Sequence, residues 1–286
     1  HPRYRDLMGH VDFAEHEIHS IPPQQFMQAL ASGSPVYDLA TLKQYVEEDL
    51  ELISAVQPDI IVGDFRLTLA VSARKASIPY VALGNAYWSP HCTQVYTVPD
   101  LPFTRALGPA MGQWVFSLAR PIAFALHCMP MHRLRRSYGM PSLGFDLRHV
   151  YTHGDYTLYA DIPELYEMSD LPASHRFIGP VDWSPEFPLP EWWGELPRDF
   201  PFLYVTLGSS GQAGLLPTLV AALGQLEVTA LVSTAGAPLP HETPDNVFVA
   251  PYLPGEKCVE LASLVICNGG SPGTYQALLR SEEHTV

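Results

Sequence analysis

The segment VICNGGSPGTYQALL, residues 265–279, carries the residue types best suited to chemistry in this 286-residue chain. An apolar run ends in Asn268-Gly269-Gly270, and Ser271-Pro272-Gly273-Thr274 then opens a helical pattern. A strand, a glycine-rich turn and a helix start, in that order, offer free backbone N–H groups and a positive dipole end to an anion. Gly269, Gly270 and Gly273 let the backbone approach closely, Ser271 suits an N-cap, and Pro272 suits the first helical turn. A diphosphate fits such a turn, and so does a merely steric demand for glycine in a tight connection. Neither G-x-x-x-x-G-K-[ST] nor G-x-G-x-x-G occurs, which weakens ATPase and dehydrogenase readings. His10, His16 and His19, with Glu15 and Glu17 between them, offer metal-binding types, but they lack a strand-to-loop setting and read as solvated surface.

The elements that must position such a turn can be read from periodicity. Leu42, Val46, Leu50, Ile53 and Val56 recur at three and four from Leu39 onward, the stripe of an amphipathic helix that Gln57-Pro58-Asp59 stops. Ile60-Ile61-Val62 reads as a short buried strand, followed by a helical stretch to about Ser77 and the strand Tyr80–Leu83. From Tyr87 to Gly144, proline and aromatic residues break the pattern, so loops and irregular helices are expected there. Tyr156–Ala160 is the next strand. Five prolines between Gly179 and Pro201 suit an interdomain linker. The second half restarts with strand Phe202–Leu207, helix Leu215–Leu226 and strands Val228–Ser233, Val247–Ala250 and Leu264–Cys267. Continuous apolar strands joined by helices imply parallel sheets with ligands beyond their carboxyl ends.

The length favours two domains. With 47% apolar and 16% charged residues the chain is globular rather than disordered. A net charge of −14 without a basic run argues against nucleic acid or an anionic membrane as a general partner. Cys92, Cys128, Cys258 and Cys267 form neither a C-x-x-C pair nor a disulfide framework, which suits the cytoplasm. The most apolar stretch, Leu107 to Pro130, is interrupted by Arg120 and Pro121, so no transmembrane segment is expected.

Four segments together resemble the UDP-dependent glycosyltransferases of family 1, in the bacterial macrolide-type branch: QPDIIVGDF with the later IPYVAL, FIGPV, FLYVTLGSSG, and the 265–279 turn. The resemblance implies an α/β fold of two facing Rossmann-like domains, the GT-B architecture. It divides the chain into an acceptor-binding domain over 1–179, a Pro-rich linker over 180–200 and a nucleotide-sugar-binding domain over 201–286. The start of the first and the end of the second are expected to be missing, and 280–286, containing RSEEHT, to be non-native sequence.

Residue by residue, Gly270, Gly273 and Thr274 fall on the family's diphosphate turn. Asn268 stands where a phosphate-contacting His is usual, and Gln276 where many members have a ribose-binding Glu. Tyr252 in APYLPG takes the place of an aromatic residue that stacks on uracil. Ser209 and Ser210 match the Gly-Ser turn beside the phosphates, or form an ordinary hydroxyl-rich loop. Asp64 matches the Asp that orients the family's catalytic His, or simply caps a helix; that His belongs to an earlier loop, before the first residue here. The implied reaction is transfer of a hexose from a UDP-sugar to a hydroxyl of a hydrophobic small molecule, with inversion and without metal or other cofactor. Tyr87, Trp88, Trp114 and Phe116 are the acceptor-contact candidates, or core. An inactive nucleotide-sugar-binding fragment and a GT-B sugar-nucleotide epimerase are the alternatives.

Overall fold

The computed structural model describes residues 11–98, 104–105, 108–181, 183–185, 187–208, 213–238 and 242–280. Two compact units divide between Gly179 and Pro180. Each is built on its own four-stranded sheet.

The first unit contains α1 (Pro23–Ser32), α2 (Leu39–Val56), β1 (Ile61–Asp64), α3 (Leu69–Ala76) and β2 (Tyr80–Gly84). It continues with α4 (Pro109–Ser137), α5 (Leu147–Tyr151), β3 (Tyr156–Tyr159) and β4 (His175–Phe177). The strands lie in the order β1-β2-β3-β4, all parallel. The periodic stripe over Leu39–Val56 becomes α2 for identifiable reasons. Asp38 accepts the Thr41 N–H at 2.8 Å as N-cap. Gln57, at φ 50, ends the helix in the left-handed region and donates its N–H to the Ile53 carbonyl. The buried stripe of Leu42 and Val46 packs on Val71, Cys128, Met131 and Leu134 from α3 and α4.

The second unit holds β5 (Phe202–Thr206), α6 (Leu216–Leu223), β6 (Thr229–Ser233), β7 (Val247–Ala250), α7 (Gly255–Leu261), β8 (Ala262–Cys267) and α8 (Ser271–Arg280). Its parallel order is β7-β6-β5-β8. Val205, Ala230, Leu231 and Val232 are fully buried, as continuous apolar strands covered on both faces must be.

Four expectations need correction. Tyr87–Gly144 is not irregular throughout, because α4 runs unbroken for 29 residues with Pro121 and Pro130 inside it. Each proline removes one N–H, and the carbonyls so released belong to the exposed Ser117 and Leu126, where solvent can satisfy them. Pro109 and the preceding Gly108, at φ 78, supply the start. Second, the strands read as buried at 60–62 and 264–267 are sheet edges, with Val62 61% and Leu264 56% exposed. Apolar content does not distinguish an edge strand from a central one. Third, the proline-rich linker is not free of structure: Glu191–Glu195 forms a 3-10 turn. Trp192, Trp193 and Leu196 there pack on the core of the second unit beside Phe202, Tyr204 and Phe248. Fourth, α8 starts at Ser271, one residue earlier than an N-cap serine requires. Helices α1, α5 and α7 and strand β4 lie outside the sequence reading altogether.

Candidate functional site

The glycine-rich turn lies at the carboxyl end of β8. Gly269 takes φ 75, a conformation that favours glycine. The Gly270 N–H donates to Asn268 Oδ1 at 3.2 Å, and the Gly270 carbonyl accepts from the Thr274 N–H at 3.1 Å. The Gly270 N–H therefore does not point outward as the sequence reading expects, because the Asn268 carboxamide closes the turn first. The Asn268 Nδ2–H2 remains as that side chain's donor.

Neighbouring strand ends crowd this turn. A Cβ built on Gly208, just past β5, would stand 3.6 Å from the Asn268 carboxamide. One on Gly273 would lie 3.7 Å from both Cys267 and Thr206, so small residues let α8 sit directly on the β5–β8 pair. Thr274 Oγ1 lies 3.7 Å from Cys267 Sγ. Gln276 reaches the start of α7, where a Cβ on Gly255 would meet its Oε1 at 2.6 Å. Tyr252, in the β7–α7 connection, stacks on Phe187 at 5.0 Å and 14°. Its hydroxyl sits over Gly236, at φ 83, where an added Cβ would lie 2.6 Å away. Asn268, Gly270, Gly273, Thr274 and Gln276 thus form one site at the ends of β5 and β8, and Gln276 links it to the loop that carries Tyr252. Ser209 and Ser210 lie outside the described residues.

In the first unit, Asp64 is the last residue of β1, exposed at its tip. Partial withdrawal from water raises its carboxyl pKa, and among the described residues no hydrogen bond or ion pair holds it. The capping alternative is not realised, since Thr68 is the residue that precedes α3. Phe65 follows at φ 51, an unusual conformation for an aromatic residue. Its ring lies 5.6 Å from Tyr151, which also meets Trp88 at 4.8 Å; Tyr87 abuts Trp88 at 5.4 Å. An aromatic cluster therefore covers the ends of β1 and β2. Trp114 and Phe116 sit on α4, and no ring contact joins them to that cluster among the described residues. Below Tyr151 a hollow between α2, α4 and α5 is lined by Tyr37, Leu67, His127 and Met131.

Several groups that hold these loops escape a reading of the sequence. Asp161, fully buried two residues after β3, accepts from the Ala86 N–H, from Asn85 Nδ2 at 3.4 Å and from the Tyr166 hydroxyl at 3.4 Å. Arg148 grips Asp146 through Nε and Nη2 and donates Nη1 to the Cys92 carbonyl at 3.1 Å. Beneath α3, buried Asp49 accepts from Thr68 at 2.6 Å and Ser72 at 3.0 Å and pairs with Arg66 at 2.9 Å. His19 is spent on Glu48, its ring 3.2 Å from the carboxylate, and His10 lies outside the described residues.

Two parallel-sheet units, the second with a glycine-rich, helix-opening turn at a strand end, define an α/β protein. No family model matches the chain. It is 47% identical over 277 residues to a PGL/p-HBAD biosynthesis glycosyltransferase of Mycobacterium tuberculosis, covering 97% of this chain and 65% of that protein. It is equally 47% identical over 278 residues to a PGL/p-HBAD biosynthesis rhamnosyltransferase of Mycobacterium bovis, covering 97% of this chain and 62% of that one. The chain therefore spans less than two thirds of the length of these relatives. In fold it is similar to spinosyn rhamnosyltransferase SpnG complexed with spinosyn aglycone, at TM-score 0.55 and 21% identity over 89% of this chain and 59% of that one. It also resembles the Streptomyces glycosyltransferase SsfS6 complexed with thymidine diphosphate, at TM-score 0.51 and 16% identity over 92% and 60%. The chain is thus similar in sequence to mycobacterial glycosyltransferases and shares the α/β fold of GT-B glycosyltransferases.

Proposed function

We propose that this chain is part of a glycosyltransferase that moves a hexose from a UDP-sugar to a hydroxyl of a hydrophobic small molecule, with inversion at the anomeric carbon. The observation that carries the proposal is the β8–α8 turn, where Asn268, Gly270 and Thr274 surround a helix start beside Gly208. A diphosphate seated there meets the Asn268 amide and the positive end of α8, which stabilise charge on the leaving group without a metal ion. Gln276 and Tyr252 are the proposed ribose and base contacts, and Ser209 and Ser210 the proposed second phosphate loop. Asp64 is proposed to hold the base His of the family, for which we assign no residue within these 286. Trp88 and Tyr87, gathered with Phe65 and Tyr151, are proposed to meet the apolar acceptor. Four free cysteines, three of them buried, suit a cytoplasmic setting. Among the described residues no helix is long and apolar enough to cross a membrane.

Calorimetry with UDP, comparing the chain with its Gly270→Asp variant, tests this reading. Gly270 is not in the left-handed region, and a Cβ there would stand 3.1 Å from Asn268 Oδ1, so a small side-chain shift accommodates it. The new carboxylate then faces the diphosphate, and affinity is expected to fall about tenfold or more. Equal binding by the variant, or no UDP binding by a demonstrably folded chain, refutes the site. A second reading, nucleotide-sugar binding without transfer, is favoured by Asn268 and Gln276 standing where the family has ionisable groups. Donor-plus-acceptor turnover separates it from transfer, and turnover of the donor alone identifies an epimerase.

A further inference from the structure

The long helix α4 has an exposed row that lies outside the aromatic cluster proposed to meet the acceptor. Met111, Trp114, Leu118, Ile122 and Leu126 follow one another at three- and four-residue spacing, each between 55% and 65% exposed. That spacing keeps all five on one face of a helix, over about 22 Å of its length. Continued through 129, the same row reaches Arg133 and Arg136, both exposed and neither in an ion pair among the described residues. Between Pro109 and Ser137 there is no Asp or Glu, although the whole chain carries a net charge of −14. A local basic, apolar strip on an acidic protein is not what general solubility requires, and among the described residues the exposed apolar side chains elsewhere form no such row.

We infer that this face of α4 docks on an anionic lipid bilayer, lying in the plane of the interface without crossing it. The apolar row enters the boundary between head groups and acyl chains, and Arg133 and Arg136 meet lipid phosphates at one end. Trp114 is amphipathic and suits that depth, with its ring in the apolar layer and its indole N–H toward water. The opposite side of the helix is committed inward, since Cys128, Met131 and Leu134 pack on α2 and α3. The helix can therefore dock without leaving its unit. A partner protein of ordinary acidic character would match the two arginines but leave the long apolar row to be explained by shape alone. The bilayer accounts for both.

Flotation of the full chain with vesicles tests this, using phosphatidylcholine alone and phosphatidylcholine mixed with phosphatidylglycerol. The native chain is expected to float with the mixed vesicles. A Leu118→Glu, Ile122→Glu variant is expected to lose binding about tenfold or more, since it removes apolar area and adds repulsion at the interface. An Arg133→Gln, Arg136→Gln variant is expected to lose the preference for the anionic mixture. All four positions are exposed, so unchanged circular dichroism and melting temperature will certify that the variants are folded. Flotation by neither vesicle type, or flotation unaffected by the Leu118 and Ile122 changes, overturns the inference. A self-association that those two changes abolish, in a chain that does not float, assigns the face to a second copy instead and overturns it as well.

Discussion

Lowering the pH from 7.5 to 5 removes stability from the first unit through His153. Burial, followed by the nearby Arg135 and Arg74, lowers the His153 pKa to about 4, with Asp155 opposing and His149 adding to the effect. Arg135 is 1% exposed and donates Nε to the Pro141 carbonyl at 2.8 Å, so this positive charge is fixed in place. In the unfolded chain the same imidazole titrates near 6.5. A depressed histidine pKa means that the unfolded state binds the extra proton first. The cost is absent above pH 7.5, grows as the pH falls through 6.5, and levels off below about 4. Between pH 7.5 and 5 it comes to about 2 kcal/mol, from a shift of about 2.5 pH units at 1.36 kcal/mol each, only partly expressed at pH 5. His175, also lowered by burial, adds in the same direction, so His153 must be isolated by substitution. Urea unfolding of the chain and of His153→Gln at both pH values, followed by tyrosine and tryptophan emission, gives that difference. The variant is expected to lose about 2 kcal/mol less than the native chain on acidification. Equal losses in the two proteins would refute the assignment of the charge cost to this residue.

Gly236→Ala places a methyl group 2.6 Å from the Tyr252 hydroxyl in a left-handed conformation, at a cost of about 1–2 kcal/mol from the backbone alone. It is expected to lower the melting temperature and, by displacing Tyr252, to weaken UDP binding in the same calorimetric titration. Asp49→Ala leaves Arg66 without its buried partner and Thr68 and Ser72 without their acceptor. Denaturant unfolding should show a loss of about 3–5 kcal/mol, and a loss below about 1 kcal/mol would mean that the cluster is not holding α2 to α3.

Periodicity made α2 and the alternation of strands legible, because a two-sided burial requirement leaves a visible pattern in residues such as Leu42 and Val46. It failed at α4, where Pro121 and Pro130 read as breakers. A helix tolerates them when the released carbonyls face solvent, and sequence does not state which side of a helix is wet. It failed again at β1 and β8, since Val62 and Leu264 have the same composition whether or not another strand lies beside them. The glycine-rich turn after β8 was legible because Gly269, at φ 75, takes a backbone conformation that favours glycine. Its closure by Asn268 was not, since the choice between accepting from Gly270 and facing outward is made by a side-chain torsion. Phe65, Trp88 and Tyr151 meet, and Asp161 reaches the Ala86 N–H, only when β1, β2 and β3 stand side by side, and no local spacing in the chain announces that.

The Phe187–Tyr252 stack occupies one face of the proposed base contact with a ring of the protein itself. With Phe187 on one face of Tyr252, a planar ligand at the proposed base contact must either use the other face or displace Phe187. A ring pair of this kind is worth about 0.5–1.5 kcal/mol beyond its buried area, so for a ligand that takes the face Phe187 covers, Phe187→Ala is expected to tighten binding about two- to tenfold. Phe187 thereby sets which face of Tyr252 the proposed ligand can reach without displacing a ring of the protein.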